Sequence, residues 1–253
     1  MSLTKFLFGG ALALLLSCES PKKEEELYHP EVPSLADASQ YPLPSQQHPP
    51  RNPLLVNVVD NLVEIKTSLG SGAGFFQDPQ TIYTALHVVA DNKGNIMPFT
   101  ISFRGQDYPL LEYSAFISLN ADIARIDLRE PVHFVHTLYE GSRLDVIVGR
   151  QPIEMVSFRQ GDFSHSEGYV TALLSTPLGG DRCLLSLETD LKVQRGNSGS
   201  PVVSSSTGQV WGIVTLGNFS SQDRNNINAY GMGTISALGN LYSPQCFFRT
   251  VFE

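Results

Sequence analysis

From residue 54 onward the chain carries short apolar segments separated by glycine, aspartate, asparagine or proline. The segments are rich in Val, Ile, Phe and Leu, which pack well on pleated sheets. Many short strands with turn residues between them are typical of a β-barrel or β-sandwich. We therefore predict an all-β domain. The predicted strands are residues 56–65, 74–76, 81–86, 100–103, 123–128, 145–148, 168–174, 183–187, 201–203, 210–216 and 231–235.

Helical periodicity is weak in the same region. It allows a single turn at residues 87–90 and one short C-terminal helix within residues 236–241. No internal repeat has a fixed period, and no apolar run after residue 17 is long enough for a transmembrane helix. About 200 residues lie between positions 54 and 253, which is enough for one sizeable hydrophobic core.

The first 17 residues have the pattern of an export signal. One cation, Lys5, precedes an apolar run over residues 6–16, which is too short to span a bilayer as a helix. The run ends in Leu-Leu-Ser-Cys, which resembles the lipobox of bacterial lipoproteins. We predict a signal peptide over residues 1–17 and lipid attachment at Cys18. The alternative is an ordinary secretory signal with an incidental cysteine.

Residues 18–53 differ in composition from the segments that precede and follow them. A charged run at residues 22–26 leads into a stretch with prolines at 30, 33, 42, 44, 49, 50 and 53. Proline lacks a backbone donor and favours extended conformers. The composition predicts a disordered tether that holds a domain away from a membrane surface, although an ordinary disordered tail has nearly the same sequence.

Charge and cysteine content narrow the range of possible functions further. The formal net charge is -8, and no Lys/Arg cluster marks a nucleic-acid binder. No metal or cofactor motif stands out, and we expect neither. Cys183 and Cys246 remain after Cys18 is assigned to lipid. They either pair in an oxidising compartment or stay as two separate buried thiols.

Three local patterns carry residues that could perform chemistry. His87 follows an apolar strand, Asp122 opens an alternating strand, and Ser198 lies between glycines ahead of a proline and another strand. Each has an ordinary structural interpretation when taken alone, as a core histidine, a turn residue or a polar loop. Glycines allow a tight turn that exposes a hydroxyl and adjacent N–H groups, so the serine pattern is the most specific.

The order and spacing of these residues connect the patterns. Asp122 follows His87 by 35 residues and precedes Ser198 by 76, and the order His, Asp, Ser is that of chymotrypsin-like enzymes. The chain resembles the trypsin-like peptidase family, and its sequence pattern is closest to that of a bacterial HtrA/Deg-type protease domain. The resemblance covers roughly residues 54–240. Its segments are residues 70–76, 84–89, 122–128, 167–173, 187–190, 196–201 and 230–235.

The resemblance implies two six-stranded antiparallel β-barrels, at about residues 54–135 and 145–240, with an active site in the cleft between them. It implies a catalytic triad of His87, Asp122 and Ser198, and an oxyanion hole formed by the N–H groups of Gly196 and Ser198. The protease domain would then span residues 54–253. The domain is expected to act as a serine endopeptidase without a cofactor.

Some positions depart from the family pattern. Ser200 stands where a second glycine is usual, Leu86 replaces an alanine, and no PDZ-like segment follows in this sequence. Neither substitution removes a catalytic group. Asn197 stands where digestive proteases have an aspartate that pairs with a new N-terminus on activation. We therefore expect no such activation step.

Specificity rests on residues assigned by position within the resemblance. They are Lys192, Val193, Thr215, Leu216 and Gly217. Val193 and Leu216 favour a small or medium apolar substrate side chain, whereas an inward-pointing Lys192 would select an acidic one. We favour a solvated lysine, because an unpaired buried charge is costly.

Two other classes of function compete with the endopeptidase. One is a catalytically silent binding lipoprotein that keeps the protease fold, and the other is a structural lipoprotein in which the three patterns are accidental. The endopeptidase hypothesis predicts protein or peptide substrates and a lipid anchor in a bacterial membrane, facing the periplasm or the cell surface. It predicts no nucleic-acid partner and leaves the oligomeric state open.

Overall fold

The computed structural model describes residues 34–109, 113–141, 151–159, 162–179, 182–218, 231–237 and 250–251. The chain divides into two compact units, Met1–Glu31 and Val32–Glu253, and every described residue belongs to the second. The predicted signal peptide, Cys18 and Cys246 lie outside the described residues, as does the side chain of Cys183. None of the described helices has the length and hydropathy needed to cross a bilayer.

Strands dominate the described residues, as the apolar pattern predicts. The helices are short: α1 (Pro44–Gln47), α2 (Val56–Asp60) and α3 (Leu86–Val89), with 3-10 turns at Leu35–Gln40 and Pro53–Leu55. The strands are β1 (Leu62–Thr67), β2 (Gly70–Asp78), β3 (Thr81–Ala85), β4 (Phe99–Phe103), β5 (Gln106–Pro109), β6 (Tyr113–Ser118), β7 (Ile123–Leu128), β8 (Pro152–Arg159), β9 (Asp162–Gly179), β10 (Arg182–Val193), β11 (Pro201–Ser204), β12 (Val210–Asn218), β13 (Gly231–Ala237) and β14 (Thr250–Val251).

The strands form two antiparallel sheets. The first has the order β5-β4-β1-β2-β3-β7-β6, and among the described residues no pairing joins its two ends. The second has the order β10-β13-β12-β11-β8-β9-β14. Because β9 also pairs with β10, six of these strands close into a ring, with β14 added alongside β9. The expected six-stranded barrel is therefore seen in the second half, whereas the first half is a seven-stranded sheet.

Two hydrophobic clusters hold these sheets together. One gathers most buried side chains of the first sheet and includes Val203 and Ile213 of the second. The other fills the second sheet, around Met155, Leu173 and Val214. Buried apolar area is the main favourable term in folding. Shared residues in the first cluster mean that the two halves pack against each other rather than fold apart.

The predicted tether is shorter than expected, because residues 34–53 pack onto the domain. Ala38 is fully buried, and the His48 ring stacks on Phe163 with centroids 5.7 Å apart. The Asn52 amide donates to a carboxylate oxygen of Glu154 at 2.7 Å. Proline-rich composition indicates a stiff chain, but apolar contacts and buried hydrogen bonds are enough to order it. The domain therefore includes residues 34–53, which precede the predicted start at residue 54.

A helix replaces the first part of the strand predicted at residues 56–65. The buried residues Leu55, Val58, Val59 and Leu62 recur at a helical spacing, so one face of α2 points into the core. The Asn52 side chain accepts a hydrogen bond from the Leu54 N–H and caps the preceding 3-10 turn. The strand begins only at Leu62, where the spacing of buried residues becomes that of β1.

Four strands escape the sequence pattern, namely β5, β6, β8 and β14. Strand β6 is half exposed on both faces, which gives no clean alternation to detect. The strand predicted at residues 145–148 lies outside the described residues. The predicted C-terminal helix is contradicted at Ser236 and Ala237, which continue β13 by pairing with β10 and β12, and its remainder is not described.

Candidate active site

His87 is presented by a helical turn at the end of a buried strand. Strand β3 runs into α3, where Leu86, Val88 and Val89 are buried while the His87 side chain is 47% exposed. The Met97 N–H donates to the Val89 carbonyl at 2.8 Å, and this hydrogen bond stabilises the helical turn. The apolar neighbours therefore fix the backbone and leave the imidazole at the surface.

Asp122 contacts His87 through both of its carboxylate oxygens. Oδ2 lies 2.6 Å from His87 Nδ1, and Oδ1 accepts the His87 backbone N–H at 2.9 Å. A carboxylate at Nδ1 favours the tautomer with its proton there, which leaves Nε2 as an acceptor. The pair therefore has the geometry of an oriented general base.

The backbone around Asp122 explains how the carboxylate reaches the histidine. Its φ is +54°, in the left-handed region that aspartate tolerates better than most residues. The Asp122 carbonyl accepts the Leu86 N–H at 3.0 Å, and the next residue, Ile123, pairs with Ala85 across β3 and β7. The sheet register thus places the aspartate beside α3. Strain of this kind is often stored at functional sites.

Ser198 lies in a tight turn between β10 and β11. The Asn197 N–H donates to the Gln194 carbonyl at 3.1 Å, and Gly196 has a φ of +90°. A turn closed in this way with a positive φ at its third residue is a type II turn, which favours glycine there. Gly199, with a φ of +86°, redirects the chain directly after the serine. The Ser198 residue itself is half-buried.

Strand β2 joins the serine turn to the histidine helix. The Ala73 N–H donates to the Ser198 carbonyl at 2.7 Å. A Cβ added at Gly72 would lie 2.5 Å from Val88 Cγ2 and 3.1 Å from the Ser198 carbonyl oxygen. The residues that follow His87 and the residue predicted as nucleophile therefore pack against the same glycine. The structure brings the three predicted triad residues into one region.

The groups predicted to act on a substrate have no competing partner. Within the part of the chain that the structure describes, the Ser198 hydroxyl and the N–H groups of Gly196 and Ser198 make no hydrogen bond. Hydrogen bonds of catalytic groups are often absent or long before a substrate binds. The hydroxyl and the two donors are therefore available to a bound carbonyl.

The residues predicted to contact the substrate side chain lie on two strands that are separated by a third strand. Lys192 and Val193 end β10, and Thr215 to Gly217 belong to β12, with β13 paired between them. Val193 and Thr215 are buried, whereas Leu216 is 64% exposed. Lys192 is exposed. This exposure is what a solvated lysine requires.

A glycine that the sequence analysis did not select lies on β13 beside these residues. A Cβ at Gly233 would come within 2.9 Å of Val193 Cγ1. The Thr189 hydroxyl also donates to the Gly233 carbonyl at 2.9 Å. The position was part of the late strand noted in the family resemblance, but its role appears only when β10 and β13 are paired.

Hydrogen bonds also stabilise the loop that follows the histidine helix. Asp91 Oδ1 accepts the N–H groups of Lys93 and Asn95, and Oδ2 accepts the Asn95 amide at 3.0 Å. These bonds, from the Asn95 side chain above all, lower the pKa of the Asp91 carboxyl. The charged carboxylate therefore favours this loop conformation.

One group in the described residues could hold a metal ion, namely Glu154, His165 and Glu167, whose ligand atoms lie within 4.8 Å of one another. The buried Glu154 carboxylate already receives the Asn52 amide, and its other oxygen lies 2.8 Å from His165 Nε2. It is therefore satisfied without a metal. A cavity of about 600 Å³ beside Glu154 and Glu167 has none of the predicted triad residues in its lining.

The chain is similar to a known protein family and to solved structures. The trypsin-like peptidase domain family matches residues 72–213. The Rv3671c protease of M. tuberculosis in its active form is similar at 18% identity, covering 82% of this chain and 90% of that chain, with a TM-score of 0.54. Deg5 is similar at 20% identity, covering 64% of this chain and 82% of that chain, with a TM-score of 0.51. No curated protein sequence matches.

These comparisons confirm the family resemblance and the chymotrypsin-like two-barrel architecture predicted from the sequence. At such low identities the structural likeness shows the fold alone. The roles of His87, Asp122 and Ser198 therefore rest on the geometry described above.

Close packing at Gly72 generates a stability prediction. Gly72→Ala should lower the free energy of unfolding by roughly 1–3 kcal/mol, because its Cβ would overlap the stiff, buried Val88 side chain. Ser71→Ala, on the same strand but exposed, should change it by less than about 0.5 kcal/mol. Urea unfolding of both variants measures the difference. Equal stabilities would contradict the close approach of β2 and α3.

Proposed function

Because the chain belongs to the trypsin-like peptidase family, we propose that it is a serine endopeptidase that uses His87, Asp122 and Ser198 as its catalytic triad. The observation that carries the proposal is the double contact between Asp122 and His87, on a helix that packs through Gly72 against the Ser198 turn. A purely structural pair would not need an exposed imidazole, nor a serine hydroxyl that makes no hydrogen bond in the described residues.

The proposed reaction begins with proton transfer from the serine. A serine hydroxyl is a weak nucleophile near neutral pH, so His87 Nε2 takes the proton as Ser198 Oγ attacks the scissile carbonyl. The tetrahedral intermediate collapses to an acyl-enzyme, and His87 gives the proton to the leaving amine. Asp122 holds the ring through Nδ1 and stabilises the imidazolium. Water then releases the acyl group by the same route.

The oxyanion that forms during attack would be bound by backbone donors. The type II turn from Gln194 to Asn197 and the positive φ angles of Gly196 and Gly199 set the direction of the Gly196 and Ser198 N–H groups. Such preorganised donors contribute about 3–4 kcal/mol each to the stabilisation of the transition state. Their lack of partners in the described residues supports this role.

The catalytic proposal is tested by active-site labelling. A fluorophosphonate probe should label the full chain once, at Ser198, and Ser198→Ala should abolish labelling while the thermal transition stays within a few degrees. Asp122→Asn should reduce kcat by about 10⁴-fold, because the neutral amide favours the wrong imidazole tautomer. A folded wild-type protein that neither labels nor cleaves peptides would instead identify a silent member of the family that serves as a binding protein.

The proposed substrate is a protein or peptide with a small or medium apolar side chain before the cleaved bond. Buried Val193 and the exposed side chain of Leu216 offer apolar surface, and Lys192 is exposed. No acidic residue stands six positions before Ser198, where a trypsin-like enzyme would bind arginine or lysine.

A peptide-library assay tests this preference. The wild-type chain should cleave after apolar residues such as Ala, Val or Leu, and Gly233→Ala should shift the preference toward the smallest of them, since its Cβ would crowd Val193. The labelling rate of Gly233→Ala by a small phosphonate serves as its folding control. Efficient cleavage after Arg or Lys would contradict the proposed pocket.

We also propose that the domain is tethered to a bacterial membrane through lipid on Cys18, at the periplasmic or the cell-surface face. Because residues 34–53 pack onto the domain, the spacer would be at most residues 19–33. Fully extended, these residues reach at most about 50 Å. The proposal rests on the resemblance of residues 6–18 to a lipoprotein signal.

Membrane fractionation tests the anchor. Wild type should fractionate with membranes and incorporate labelled fatty acid, whereas Cys18→Ser should appear in the soluble fraction or persist as an uncleaved precursor. Ser17→Ala keeps a small residue before the cysteine and should behave as wild type. If Cys18→Ser remains membrane-bound and correctly processed, the anchor is not at Cys18.

A further inference from the structure

Two serines of β9 contact both ends of one short segment. The Lys192 N–H donates to Ser166 Oγ at 2.9 Å, and the Asn197 amide donates to Ser164 Oγ at 3.2 Å. The segment between these contacts, residues 192–197, includes two of the predicted pocket residues and the whole type II turn.

The two serines share one face of β9 because side chains two residues apart point to the same side of a strand. Ser166 pairs with Met155 of β8, and Met155 is buried in the core of the second sheet. Ser164 pairs with Ser157, which is fully buried. The serines therefore face the interior of the second sheet and are held by its hydrogen-bonded ribbon.

The turn has a physical reason to need external support. A type II turn and a type I turn differ by a flip of the central peptide, which here is the bond between Arg195 and Gly196. The flip reverses the direction of the Gly196 N–H and would remove it from the predicted oxyanion hole. Glycine at position 196 permits either form, so glycine alone does not select between them.

Asn197 connects the turn to β9. Its side-chain Oδ1 accepts the Gln194 N–H at 2.6 Å, and its residue is only 1% exposed. A buried amide donor without an acceptor is costly, so the Nδ2 group depends on Ser164. The side chain thus bonds the start of the turn with one end and the β9 strand with the other.

We propose that Ser164 and Ser166 are positioning residues that hold residues 192–197 in the conformation competent for catalysis. The proposal rests on the proposed peptidase function and adds the means by which its oxyanion turn is kept in place. Ser164 acts through Asn197 on the turn, and Ser166 acts through the backbone of Lys192 on the pocket wall. In this arrangement the turn is preformed without a newly created N-terminus, consistent with asparagine at position 197.

Steady-state kinetics separate the two contacts. Ser164→Ala should lower kcat by about 10-fold with little change in KM, because it frees the oxyanion turn. Ser166→Ala should mainly raise KM, by about fivefold, because it loosens the pocket wall. Ser164→Thr keeps the hydroxyl and should restore most of the lost kcat. Ser114→Ala, at an exposed serine of β6, is the matched control and should equal wild type.

Hydrogen exchange tests the proposal independently of catalysis. In the double variant Ser164→Ala/Ser166→Ala, the hydrogen-bonded amides within residues 192–199 should exchange about 10-fold faster, while those of β2 and β3 keep wild-type rates. A protein that fails to label at Ser198 overturns the peptidase function, and the exchange rates still decide whether the two serines hold the segment.

The proposal is overturned if residues 192–199 exchange at wild-type rates in the double variant. An equal increase in the amide exchange rates of β2 and β3 also overturns it, since the serines would then stabilise the whole domain rather than this segment. If the enzyme is active, the proposal is also overturned when both single variants have kcat and KM values within twofold of wild type.

Discussion

The arrangement of the site depends on the hydrogen bond from the Ala73 N–H to the Ser198 carbonyl, at 2.7 Å. It connects a central strand of the first sheet to the turn that carries the serine in the second. The approach is so close that a Cβ at Gly199 would lie 2.0 Å from the Ala73 carbonyl oxygen. That carbonyl also accepts the Thr84 hydroxyl at 2.7 Å, three residues before His87. The contact therefore keeps the Ser198 turn beside the strands that lead to His87.

Different elements position the different groups of the proposed mechanism. The first sheet fixes the imidazole, since the register of β3 and β7 brings Asp122 beside the backbone of His87. The second sheet fixes the serine and the oxyanion donors, through Asn197 and the β8–β9 ribbon. Rigid scaffolds of this kind favour catalysis because the donors need no reorganisation during the reaction. The alternative of a silent binding protein would gain nothing from a preformed oxyanion turn.

Many strands and the family can be predicted from the sequence, whereas other features of the fold depend on contacts between distant residues. The strands at residues 123–128 and 201–203 follow from their apolar pattern, and the order of the three chemical residues indicates the family. The packing of residues 34–53 could not be predicted, because it depends on contacts with distant residues, such as the stacking of His48 on Phe163, that composition does not show. The contact between Asn197 and Ser164 joins residues 33 apart and leaves no local pattern. The helical spacing at Leu55, Val58 and Val59, by contrast, was present in the sequence.

The most direct measurement of the central claim is a crystal structure of the protein inactivated with a peptidyl phosphonate. The account predicts a covalent bond from Ser198 Oγ to phosphorus, with His87 Nε2 within hydrogen-bond distance of the adduct. A phosphonyl oxygen should accept the N–H groups of Gly196 and Ser198, and Asp122 should remain on His87 Nδ1. An adduct on another residue, or a His87 ring turned away from Ser198 in the inactivated protein, would contradict the triad.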